Sequence, residues 1–194
     1  MSNAADRRSR RTQVARVAFD LIAERGIEAV TFRQIAAETG FSTAIVSHYF
    51  QNKNELLFTI YCIANEMARE RLLGAFDDGL PLVDCFETLL PISEESRKNW
   101  RVWLAFWGRA HVDPLYLEER RRAANDSLAL YRRMLGVRSG DALSGRAQNL
   151  EKAARRLISL IAGLSLEACF APEEWPPDRL RELLADELRD YDAT

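Results

Sequence analysis

Four side chains, Thr43, Ala44, Ser47 and His48, stand at the i, i+1, i+4, i+5 spacing that places them on one face of a helix. Each is small or polar. Such a face can lie against the hydrogen-bonding edges of base pairs in a DNA major groove. A second set is aromatic. At 100° per residue, Trp100, Trp103, Leu104, Trp107 and His111 fall within about a 100° arc of another helix. Three of the chain's four tryptophans share that face. It could hold an apolar molecule or, through cation–π attraction, a quaternary ammonium. It could equally be core, as aromatic stripes at helical spacing often are. No Ser/His/Asp set, His-Glu-x-x-His motif, Gly-rich phosphate loop or close carboxylate pair suggests catalysis. Cys62, Cys85 and Cys169 lie far apart, without metal-ligand spacing, and read as reduced, buried thiols. The expectation is a binding protein without metal or cofactor, not an enzyme.

The elements that must position the first set are short and well signalled. Thr31 can cap a helix whose small apolar face is Ile35 and Ala36. Gly40 stands where that helix must stop and reverse, in a position that favours positive φ. Phe41 can plug the corner. Ser42 can cap a second helix in which Val46 and Phe50, four apart, point inward. Upstream, Arg7, Arg8, Arg10 and Arg11 form a basic arm. Downstream, Asn52-Lys53 opens a long helix, so an ammonium and free backbone N–H groups meet where a phosphate could sit. A helix–turn–helix corner can be purely structural. The arm and the Lys53 terminus favour a DNA reader.

These residues resemble the DNA-binding domain of the TetR family of bacterial repressors over 11–57. The matching runs are Ala23-Glu24-Arg25-Gly26, Thr31-Phe32-Arg33-Gln34-Ile35-Ala36, Gly40-Phe41-Ser42, His48-Tyr49-Phe50 and Lys53-Asn54-Glu55-Leu56-Leu57. The resemblance implies that Thr31, Arg33, Tyr49 and Lys53 hold phosphates and that Thr43, Ala44, Ser47 and His48 face bases. The family often has Tyr where Ser47 stands, so one aromatic contact is absent. Ser47-His48-Tyr49-Phe50 is instead similar to choline-responsive BetI-type repressors. Asn99–Pro114 more loosely resembles their regulatory domain.

The chain of 194 residues can hold a small domain and a medium one. Net charge is −2 overall. Residues 1–55 carry eight Arg/Lys and six Asp/Glu, and the rest nineteen and twenty-three, which makes a mildly basic head on an acidic body. No signal peptide is visible, and the most apolar run, 157–166, is too short to span a bilayer. A cytoplasmic protein without membrane contact is expected.

Nearly every segment reads as helix. Val14, Val17, Ala18, Leu21 and Ile22 mark one ended at Gly26, and 53–76 a long one linking head to body. Further helices are expected to about Leu90, over about Glu94 to Val112 and from Leu115 to about Leu135. A loop marked by Gly136, Ser139, Gly140, Ser144 and Gly145 precedes helices at 146–170 and 178–190. The predicted fold is all-α, with a helix–turn–helix head in 1–52 and a helical regulatory and dimerisation domain in 53–194. Leu150, Ala154, Leu157, Ile161, Leu164 and Ala168 repeat at near-heptad spacing. With Leu180, Leu183, Leu184 and Leu188 they could form either an internal core or a four-helix dimer seam. Leu157, Ile161, Leu164 and Leu184 are the expected interface, and the resemblance also implies a dimer built from the last two helices. The picture is a homodimer on a double-stranded DNA operator, released by a small molecule. A constitutive binder whose body only dimerises is the alternative.

Overall fold

A computed structural model describes residues 2–138 and 147–191, with side chains described over 10–138 and 149–191. Among them no residue is in a strand, and the elements are helices α1 (Ser2–Arg25), α2 (Phe32–Thr39), α3 (Thr43–Tyr49), α4 (Lys53–Asp77), α5 (Leu82–Glu87), α6 (Glu94–Ala110), α7 (Pro114–Arg138), α8 (Ala147–Phe170) and α9 (Pro177–Leu188). A 3-10 turn, Ile27–Ala29, follows α1. The stretch read as a basic arm is helical backbone continuous with α1. The side chains of Arg7 and Arg8 and the residues Ser139, Gly140, Ser144 and Gly145 lie outside those described.

Helix ends form where polar caps stand. The Gln34 amide donates to Thr31 Oγ1 at 3.2 Å and the Ile45 amide to Ser42 Oγ at 3.2 Å. Gly40 ends α2 at φ 71°, in the left-handed region that suits glycine. Ser93 and Ser96 cap α6 reciprocally. One end differs from the sequence expectation. Helix α7 does not stop at Leu135 but runs through Gly136 to Arg138. Packing of α7 on α8, with Leu150 against Gly136, offsets the roughly 1 kcal/mol that an interior glycine costs.

Two cores organise the molecule. The first gathers Val14, Ala18 and Ile22 of α1, Ile35, Val46 and Phe50 of the motif, and Leu56, Leu57 and Ile60 of α4. It also takes Val102, Phe106 and Ala110 from α6 and Tyr116 from α7. The head is therefore not sealed at residue 52. The second core joins Leu72, Leu82, Phe86, Leu90, Trp100, Tyr131 and Met134 to the inward stripes of α8 and α9.

That second core corrects the expected dimer residues. Leu157, Ile161, Leu164 and Leu184 are only 1%, 4%, 6% and 0% exposed within one chain. Helices α6 and α7 pack on α8, and α5 packs on α9, so within one chain these side chains belong to its own core. The outward face of α8 lies about 180° around the helix axis. It presents Ser159, Gly163, Leu166 and Phe170, the last 76% exposed.

Candidate nucleic-acid interface and cavity

Helix α3 buries only Val46, and Phe50 just beyond it is fully buried. Those two anchors turn Thr43, Ala44, Ser47 and His48 outward, and all four are exposed. The Ser47 hydroxyl donates to the Thr43 carbonyl at 2.9 Å, which leaves its lone pairs for an incoming donor. The His48 ring meets Tyr49 edge-on, 5.5 Å between centroids. Arg33 is exposed on α2, and Tyr49 and Lys53 are half-buried at the margin of the same surface.

The N-terminus of α4 is more occupied than the sequence suggests. The Glu55 amide donates to Asn52 Oδ1 at 2.9 Å. The Glu55 carboxylate turns back to accept from the Gln51 amide at 2.8 Å. Arg11 reaches that carboxylate at 3.5 Å and stacks over Phe50 at 4.9 Å. Arg11 thus ties α1 to the start of α4. The amides of Lys53 and Asn54, with the Lys53 ammonium, are what this helix end offers an anion.

The aromatic set forms one wall of a cavity of about 140 Å³ between α4, α6, α7 and α8. This is close to the ~150 Å³ of a cavity able to take up benzene. Trp100, Trp103 and Trp107 all line it. Trp100 stands nearly perpendicular to both neighbours, at 87° to Trp103 and 80° to Trp107, with centroids 5.0 and 5.7 Å away. Two of the indole N–H groups are already engaged. Trp100 Nε1 donates to the Leu89 carbonyl at 2.6 Å and Trp103 Nε1 to Asn65 Oδ1 at 2.9 Å. What those two rings offer is apolar surface and π faces.

His111 does not join them. His111 keeps helical backbone angles (φ −77°, ψ −25°) but stands one turn beyond Trp107, as the exposed C-cap of α6, and does not line the cavity. The opposite walls come from residues that the sequence reading left aside: Tyr61 and Asn65 of α4, Arg120 and Tyr131 of α7, Ile158 of α8. Tyr61, Asn65, Ala68 and Leu72 follow a helical stripe that could have been found, but nothing local said what it faced. Ile161, read as an interface residue, also lines this cavity.

The Arg120-Arg121-Arg122 run reads from sequence as a solvated face, yet Arg120 and Arg122 both reach the cavity. Arg122 grips the buried Glu119 through two bonds of 2.8 Å and Asp126 through a third of 2.8 Å. Asn65 donates to Glu119 as well, at 2.9 Å, and so links this cluster to Trp103. The Arg122 bonds hold the Glu119 carboxyl below the ordinary carboxylate range. Arg120 lies over Trp107, 5.4 Å from its centroid. Burial pushes the Tyr61 hydroxyl up to about 12, with the Arg120 charge pulling the other way. Among the described residues no group of His, Cys, Asp and Glu could hold a metal ion, and no helix is long and apolar enough to cross a membrane.

Helix α6 connects the two sites. Its tryptophans face the cavity while Val102, Phe106 and Ala110 enter the head core. Lys98, on the same helix, pairs with Asp20 of α1 at 2.8 Å.

Residues 15–60 match the family described as bacterial regulatory proteins, tetR family, and residues 67–193 match that described as BetI-type transcriptional repressor, C-terminal. The chain is 31% identical over 191 residues to the HTH-type transcriptional regulator PksA of Bacillus subtilis, covering 95% of this chain and 90% of that protein. It is 29% identical over 183 residues to BetI of Escherichia coli K12, covering 89% and 87%. Among solved structures, a transcriptional regulator from Rhodococcus sp. Rha1 superposes with a TM-score of 0.78 at 26% identity, covering 95% and 98%. A regulator from Saccharomonospora viridis, crystallised in complex with choline, gives 0.80 at 25% identity, covering 93% and 96%. Head, body and the helices between them agree with a single assignment: the chain belongs to the TetR family of bacterial transcriptional regulators and carries a BetI-type C-terminal domain.

Proposed function

We propose that the chain is a ligand-responsive repressor, acting in the cytoplasm, that binds a palindromic operator as a homodimer and is released by a small molecule entering the tryptophan-lined cavity. The observation that carries this reading is the double membership of α6. One helix supplies three indoles to the cavity and three side chains to the head core. A molecule wedged against the indoles therefore acts directly on the packing that sets the angle of α1 and α3. Helix α4 runs from the head to the same cavity and would move with it.

Two heads would read neighbouring major grooves about 34–36 Å apart. Thr43, Ala44, Ser47 and His48 would contact base edges; Thr31, Arg33, Tyr49 and Lys53 would contact phosphates. The dimer face proposed is the outward strip of α8. Ser159 and Gly163 allow close approach there, and Leu166 and Phe170 give apolar surface to bury. The effector must bind one head spacing more tightly than the other, or it shifts nothing.

The near-perpendicular indoles, together with the choline held by the Saccharomonospora relative, support a compact cationic or apolar effector. Choline and betaine aldehyde titrated against the protein, with tryptophan fluorescence and operator release read together, test this. Quenching coupled to release is expected. Tight operator binding with neither response would instead establish the constitutive dimer.

A further inference from the structure

The cavity's polar side holds more donors than acceptors. Three arginines line the same space. Arg69 is paired with Glu66 and Arg122 with Glu119 and Asp126. Among the described residues Arg120 makes no ion pair; its guanidinium rests on the face of Trp107. The acidic residues at the wall, Glu66 and Asp126, are thus already engaged by Arg69 and Arg122. A bare cation confined to about 140 Å³ would meet the unneutralised Arg120.

Resting on the reading of this cavity as the effector site, we propose that the effector carries a carboxylate, which accepts from Arg120, while its compact cationic or apolar end sits against the indoles of Trp100, Trp103 and Trp107. A guanidinium presents a planar fork that matches a carboxylate. Arg120 then sets specificity by sign: it favours acids and zwitterions and disfavours simple quaternary ammonium alcohols.

Four probes of nearly equal shape separate the two ends of the molecule: choline, glycine betaine, tert-butylethanol and tert-butylacetic acid at neutral pH. Each pair shares a head and differs in its tail. Calorimetric titration of the full-length protein should show the two carboxylates binding about tenfold or more tighter than the alcohol with the same head, the gain of one charge-assisted hydrogen bond. Arg120→Gln should erase that preference and tighten choline. Equal binding of alcohol and carboxylate in the native protein overturns the proposal while leaving the sensor reading intact. An Arg120→Gln protein that loses all four probes equally overturns it too. If none of the four binds at millimolar concentration, the proposal falls, and the sensor reading stands or falls on the operator-release titration.

Discussion

The face of α3 and the cavity under α6 are built in opposite ways. The first needs seven residues of helix, one buried valine, one buried phenylalanine beyond it and a serine cap. Its outward side chains carry none of the fold. The second draws its walls from four helices, from Tyr61 to Ala162, and most of its lining is also core. The difference teaches where change is tolerated. A residue on α3 can be exchanged to alter base preference at little cost in stability. A residue in the cavity alters binding, packing and the position of the head together.

The most severe way to break this contrast is charge. Ile161→Asp places an unpaired carboxylate at the junction of cavity and core. The cost of about 3–5 kcal/mol is a large part of a typical domain's stability. Loss of the cooperative thermal transition is expected rather than a folded monomer. Phe170→Asp makes the same change on the outward face of the same helix. It should leave the melting temperature of the chain nearly intact while sedimentation shifts to monomer and operator affinity falls. If Ile161→Asp stays folded and turns monomeric, or Phe170→Asp stays dimeric, the inner and outer faces of α8 have been assigned the wrong way round.

A smaller effect sharpens the cavity. Trp107→Leu keeps apolar bulk, and among the described residues the Trp107 indole N–H donates no hydrogen bond, unlike those of Trp100 and Trp103. If the effector's compact end is a quaternary ammonium, the loss should be about 1–2 kcal/mol of affinity, with operator binding preserved. For a neutral apolar end, the loss should be slight. A large drop in melting temperature with no change in ligand affinity would return this ring to the core.

The smallest effect belongs to the head. Lys53→Ala should weaken binding to operator and random DNA alike and reduce the salt slope by about one. The melting temperature should hardly move. An unchanged affinity at low salt would remove Lys53 from the phosphate contacts.

The same contrast explains what could be read before the fold was known. Caps, the glycine turn and the Val46–Phe50 pair act within a few residues, so Thr31 through Phe50 disclosed both its structure and its exposed face. The stripe on α8 disclosed that it must be covered. Periodicity carries no information about what covers it, so Leu157, Ile161, Leu164 and Leu184 were given to a partner rather than to their own core. His111 shares the tryptophan period, but a period says nothing of where along the helix the cavity wall stops, and His111 lies one turn beyond it. Arg120 and Arg122 were left in solvent because charge runs usually are. Here Glu119, buried beneath them, holds Arg122 in place, and its role depends on Asn65 of α4, far away in the chain.

Helix α6, with one side in each core, also fixes a symmetry of influence. If operator and effector each prefer a different setting of that helix, the free energy by which one disfavours the other is a single quantity. Operator DNA must then lower the protein's affinity for its effector by the same factor by which the effector loosens the operator. A cell with many operator copies would need more of the small molecule to reach the same occupancy. The threshold of the switch would then be set partly by the DNA it reads.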